Sequence, residues 1–83
     1  MKLELFHMDR CPYCIKVRNY LATAGLTQAV PLSEINADPA KRAELMKMNG
    51  DPQVPCLVID GKPMLESDDI IAWFKEHRSE ILH

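Results

Sequence analysis

The sequence predicts an α/β fold in the order β-α-β-α-β-β-α: a four-stranded mixed sheet with helices on both faces. Three observations carry this. Apolar residues switch repeatedly between an alternating period and a helical one along the chain. Prolines and small polar residues stand where helices should begin. A single Asp60-Gly61 step between two apolar runs reads as a tight hairpin.

The elements follow in chain order. Leu3 and Leu5 alternate with Lys2 and Glu4, predicting a first strand over residues 2–6, and His7 to Arg10 reads as a polar loop. Pro12 suits the first position of a helix, where its missing N–H costs nothing. Cys14, Val17, Leu21 and Ala24 then recur at helical spacing until Gly25 stops the helix. Residues 28–32 predict a short second strand, and Pro31 within it places that strand at a sheet edge. Asp38-Pro39 caps and opens a second helix, which runs to Met48 and ends at Asn49-Gly50. Residues 54–59 form the third strand, returning through Asp60-Gly61 into Pro63-Met64-Leu65. Ser67 caps the last helix, whose Ile70, Ile71, Trp73 and Phe74 face the core and whose Asp68 and Asp69 favour its positive end. The first βαβ unit should be parallel with a right-handed crossover, while the hairpin adds antiparallel strands. Order and lengths alone leave several sheet topologies open.

Composition bounds the function. The 83 residues provide for one domain, residues 1–83, with no second core. A net charge of −2 without a Lys/Arg cluster argues against a nucleic-acid surface. No apolar run approaches the ~18 residues of a membrane span. Glu4 interrupts the stretch in which a signal peptide would be continuously apolar, so a cytoplasmic location is expected. Three cysteines do not form a structural disulfide framework, and two of them make the C-x-x-C pair Cys11-Pro12-Tyr13-Cys14.

That pair reads as redox chemistry. Thiol exchange needs one sulfur that ionises readily and a second within reach. Cys11 precedes the helical pattern, so it can meet the unpaired N–H groups and positive dipole end that favour a thiolate, with Arg10 and Lys16 adding positive charge nearby. Cys14, one turn on, should be more buried, which makes Cys11 the attacking thiol and Cys14 the resolving one. Half of a zinc site is the plainer alternative. The remaining candidate ligands, Cys56, His7, His77 and His83, contain no second pair, and the strand-loop-helix context favours redox.

At these residues the chain resembles the dithiol glutaredoxins of the thioredoxin-like superfamily. Cys11-Pro12-Tyr13-Cys14 is similar to their signature, and Gln53-Val54-Pro55 to the loop before their cis-proline. Glu66-Ser67-Asp68 resembles the glutathione-binding turn of the transferase-like branch. The likeness spans essentially the whole chain. It is closest to the N-terminal domain of glutathione-transferase-like glutaredoxins, whose helical C-terminal domain has no counterpart in these 83 residues. The resemblance implies a thioredoxin-like (glutaredoxin) fold and a cis Val54-Pro55 bond. It further implies glutathione as cosubstrate with no tightly bound cofactor or metal. Val54 would present its backbone to the cysteinyl part of glutathione, and Pro55 would lie against Cys11. The turn at Glu66, Ser67 and Asp68 would receive the γ-glutamyl carboxylate at a helix N-terminus, one of the two acids meeting the α-amine. Tyr13 would line the same groove.

The expected activity is glutathione-dependent reduction of protein disulfides and glutathione mixed disulfides, at a potential of about −200 to −230 mV. The expected partners are glutathione and disulfide-containing or glutathionylated proteins, with no nucleic acid or membrane, and the expected state is a monomer. Two departures weaken the glutathione site. Met8 stands where glutaredoxins commonly carry lysine, and near the cis-proline loop only Lys47 offers a basic side chain. Two rivals therefore stay open: a thioredoxin-like donor reduced by a flavoprotein reductase, and a module binding zinc or an iron–sulfur cluster. Of the other residues, Cys56 reads as a small buried strand residue rather than a regulatory thiol, and Met46, Met48 and Met64 as core filler rather than a substrate patch. His7 reads as solvated, and His77 and His83 carry no functional signal.

Overall fold

The computed structural model describes residues 1–82; His83, one of the candidate zinc ligands, lies outside them. Strand β1 (Leu3–His7) leads into α1 (Pro12–Ala24), a 3₁₀ turn (Thr27–Ala29), β2 (Leu32–Glu34) and α2 (Pro39–Asn49). Then come β3 (Cys56–Ile59), β4 (Lys62–Met64) and α3 (Ser67–Ile81). The sheet runs β2-β1-β3-β4, parallel between β1 and β2 and antiparallel elsewhere. The open topologies thus resolve to a mixed sheet with β1 at its centre.

Side chains alternate across β1, so the sheet builds two separate cores. Leu3 and Leu5 face α1 and α3, where Val17, Leu21, Ile70 and Phe74 join Leu57 of β3. Phe6 faces the other way, packing with Ile35, Leu45, Cys56 and Val58 beneath α2. Leu45 is the only fully buried residue of α2. A Lys41–Glu4 ion pair at 2.8 Å adds a second tie between that helix and β1. Burial alone would raise the Glu4 carboxyl, but hydrogen bonds from Lys41 and Ser33 outweigh it and hold its pKa below the usual value.

The structure corrects four boundaries. β1 extends to His7, which is buried in the sheet rather than solvated in a loop, because its carbonyl accepts the Ile35 N–H at 3.0 Å. The strand expected over residues 28–32 is instead a 3₁₀ turn followed by β2. Leu26 and Val30, both buried, sit one helical turn apart and fold the intervening residues into that turn. Pro31 still contributes its carbonyl to the sheet, accepting from Leu5 at 2.9 Å, and β2 is an edge strand as expected. β3 begins at Cys56, paired with Phe6, and not at residue 54, since Pro55 has no N–H to give the ladder. Ser67 does not cap α3. Glu66 takes the cap position, with its carbonyl accepting the Ile70 N–H at 3.0 Å, and Ser67 is already helical and buried. The hairpin closes as expected on Asp60 and Gly61, both at positive φ (49° and 86°), the conformation for which glycine is suited. Among the described residues no helix is long and apolar enough to cross a membrane.

Candidate active site

Cys11 is the N-cap of α1, with extended backbone (φ −75°, ψ 120°). Its carbonyl accepts the Ile15 N–H at 2.9 Å, and its own N–H donates to the Met8 carbonyl at 3.2 Å. The cap makes no side-chain hydrogen bond and Pro12 follows, so the sulfur stands at a helix end whose N–H groups lack a side-chain acceptor. Half-exposed Cys11 contrasts with Cys14, which is fully buried one turn on. Burial pushes the Cys14 thiol up to about 12; a hydrogen bond from the Met8 backbone acts against this, and the neighbouring Cys11 thiol reinforces it. All three cysteines are free thiols. Cys56 is also fully buried, and burial raises its thiol as well. It belongs to the core beneath α2.

Beside the dithiol lies an open groove of about 330 Å³. Its walls are Tyr13 and Lys16 from α1, Gln53-Val54-Pro55 before β3, and Glu66-Ser67-Asp68 at the start of α3. Three segments far apart in sequence thus meet around one cavity. The Val54–Pro55 peptide is cis. Glu66 turns the chain into α3 with φ 75° and ψ 113°. Tyr13 is 64% exposed, so its ring is a wall of the groove and not part of the core.

Every residue expected at the glutathione site, Tyr13, Val54, Pro55, Glu66, Ser67 and Asp68, lines this groove. Cys11 and Cys14 adjoin it through Tyr13 without lining it. Lys47 is exposed on α2 and is not a lining residue. The cation that the groove does contain is Lys16, whose ammonium pairs with the Asp68 carboxylate between α1 and α3. In the sequence Lys16 stands out only as positive charge near the dithiol. Its spacing from Tyr13, three residues along one helix face, is the signal that places it beside the groove. The methionines form no patch there: Met48 and Met64 pack on opposite cores, and Met46 is exposed. Among the described residues no three His, Cys, Asp or Glu side chains gather as a metal-binding cluster.

Comparison with known proteins yields consistent matches. The family described as glutathione S-transferase, N-terminal domain, matches residues 5–80. Glutaredoxin 3 of Escherichia coli (strain K12) is 32% identical over 71 residues, which cover 84% of this chain and 82% of that relative. Oxidized glutaredoxin 2 from Chlamydomonas reinhardtii superposes with a TM-score of 0.67 at 25% identity, covering 98% of this chain and 78% of its own. Glutathione transferase Omega 3C from Trametes versicolor gives a TM-score of 0.77, also at 25% identity, over 96% of this chain. The match covers 35% of that transferase, so this chain spans roughly a third of its length.

Proposed function

Since the chain belongs to the glutaredoxin and glutathione S-transferase N-terminal-domain family, and is thereby a glutaredoxin-like thiol-disulfide oxidoreductase, we propose that glutathione is its electron source. In this reading it reduces both protein disulfides and glutathione mixed disulfides. The observation that carries the proposal is the groove that joins Tyr13 of the dithiol loop, the Val54-Pro55 loop and the start of α3 in one cavity.

The sulfur of Cys11, at the N-terminus of α1, attacks in its thiolate form the glutathione sulfur of a mixed disulfide. A bond forms between the two sulfurs, the substrate sulfur departs with the bonding electrons, and it takes a proton to become a thiol. A second glutathione thiolate then attacks the glutathione sulfur held on Cys11, releasing oxidised glutathione and restoring the Cys11 thiolate. With a protein disulfide, Cys14 instead attacks the Cys11 sulfur, closing the intramolecular disulfide and freeing the substrate thiol. Val54 offers its backbone amide groups to the bound tripeptide, and Pro55 shapes the groove beside them. The N-terminus of α3 at Ser67 and Asp68 receives a carboxylate, and Glu66 or Asp68 meets the ammonium group. Nothing in these steps calls for a metal or an organic cofactor. The same reading takes the protein as a cytoplasmic monomer serving disulfide-containing and glutathionylated proteins.

The test is reduction of a glutathionylated peptide by glutathione, coupled to glutathione reductase. Wild type and Cys14→Ser should turn over, whereas Cys11→Ser should be inactive. Turnover of the wild type by a flavoprotein thioredoxin reductase, with none by glutathione, would leave the dithiol chemistry standing and overturn the electron source.

A further inference from the structure

Resting on the dithiol chemistry above, we propose that Arg18 is a positioning residue for the resolving step: it secures the loop that feeds the dithiol and sets a positive charge beside Cys14. Arg18 follows Cys14 by four residues on α1, so the two share one helix face. Its guanidinium donates to the Asp9 carbonyl at 2.8 Å and stands 3.6 Å from the Asp9 carboxylate. The Asp9 N–H donates in turn to the Glu34 carboxylate at 3.1 Å. The Asp9 backbone is thus held from α1 on one side and from the end of β2 on the other. Met8, next in the chain, is the residue whose backbone reaches both the Cys11 N–H and the Cys14 thiol.

The Arg18 Nε is buried and has no hydrogen-bond partner, although the other end of the guanidinium is engaged. A buried donor without an acceptor is costly, and a catalytic role is one of the reasons for which such a group is kept. Among the charges acting on Cys14, that of Arg18 favours its thiolate while that of Cys11 opposes it. Around Arg18 stand Asp9 from the loop and His7 from β1, the latter's Nδ1 lying 3.8 Å from the Asp9 carboxylate.

In the resolving step Cys14 loses its proton and its sulfur bonds to the Cys11 sulfur. The bond from Cys11 to the substrate sulfur breaks, and the departing thiolate takes up a proton. Negative charge therefore passes through the buried Cys14 sulfur, where a fixed guanidinium stabilises it more strongly than it would in water. The attack on a mixed disulfide by Cys11 makes no such demand on Arg18.

The experiment starts from protein loaded with glutathione on Cys11, checked by mass, and follows glutathione release as Cys14 closes the disulfide, across neutral to alkaline pH. Arg18→Gln should slow release near neutrality and move the pH profile to the alkaline side, since it removes a charge that favours the Cys14 thiolate. Arg18→Lys, which keeps the charge, should recover the profile. Asp9→Asn, which keeps the backbone carbonyl that Arg18 binds but frees its charge, should move the profile the opposite way. Peptide deglutathionylation, which uses Cys11 alone, should fall less than release in Arg18→Gln and change little in Arg18→Lys and Asp9→Asn. A wild-type profile in Arg18→Gln, or an equal fall in release and deglutathionylation, would overturn the assignment. Because release is read on loaded protein, it does not depend on whether glutathione or a reductase supplies electrons in turnover.

Discussion

Three cysteines in one small domain occupy three environments, and their chemistry follows from burial more than from sequence. Only Cys11 reaches solvent, whereas Cys14 and Cys56 are fully buried, Cys56 in the core beneath α2. Iodoacetamide at neutral pH should therefore add a single adduct per native molecule, at Cys11, and three in denaturant. A second native adduct would show that Cys14 or Cys56 is open. His7 makes a second residue-scale prediction. Burial, aided by the positive charge of Arg18, holds its imidazole pKa below the ordinary value, while Asp9 and Glu34 pull the other way. The unfolded chain takes up a proton near its ordinary value of about 6.5 and the folded one resists, so stability present above that pH is lost as pH falls. Urea midpoints should drop on going from about pH 7 to about pH 5, and less steeply in His7→Gln, because that variant lacks the group responsible. Equal slopes in the two proteins would exclude His7 as the source.

At the scale of single elements, both ends of α2 are fixed by local chemistry. Asp38 accepts hydrogen bonds from the Ala40 and Lys41 N–H groups at 3.1 and 3.3 Å, and Gly50 ends the helix at φ 74°. Asp38→Ala should cost about 1 kcal/mol, measured by denaturant unfolding. Gly50→Ala should cost about 1 kcal/mol as well, for its backbone conformation alone, since an added methyl meets nothing within 4 Å. Lying at opposite ends of the helix, the two losses should be nearly additive. Signals of this kind explain why α1, α2 and the hairpin were legible in the sequence: a cap, a proline or an Asp-Gly step declares each boundary locally. The 3₁₀ turn has no such marker, and its only trace is the spacing of Leu26 and Val30. At α3 a serine with good capping chemistry misled, because the chain enters that helix through Glu66 at positive φ, which puts Ser67 already inside the first turn. The site was legible as residue types in three motifs. The Lys16–Asp68 pair was not, because it depends on how α1 and α3 approach each other.

Across the whole molecule, the two faces of the sheet carry unequal loads. α1 and α3 share one core of nine buried residues, while α2 holds to the other face chiefly through Leu45. Leu45→Ala should cost about 3 kcal/mol, the usual loss for a fully buried leucine. Hydrogen exchange should then speed first in α2 and only later in α1. The groove belongs to α1, α3 and the loop before β3, so Tyr13, Lys16 and Asp68 should keep their arrangement in the folded fraction, and activity per folded molecule should persist. Loss of activity out of proportion to unfolding would mean that α2 supports the groove after all. A further consequence concerns the rims of the sheet. Both outermost strands, β2 and β4, are only three residues long; Pro31 leads into one and Pro63 lies within the other. Pro63 lies opposite Val58, one step from the hairpin turn, so its missing donor is on the outer side of β4, whereas Pro31 turns toward Leu5 of β1. The rim of β4 is blunted by its proline and that of β2 by its shortness, and the sheet resists lateral extension into aggregates.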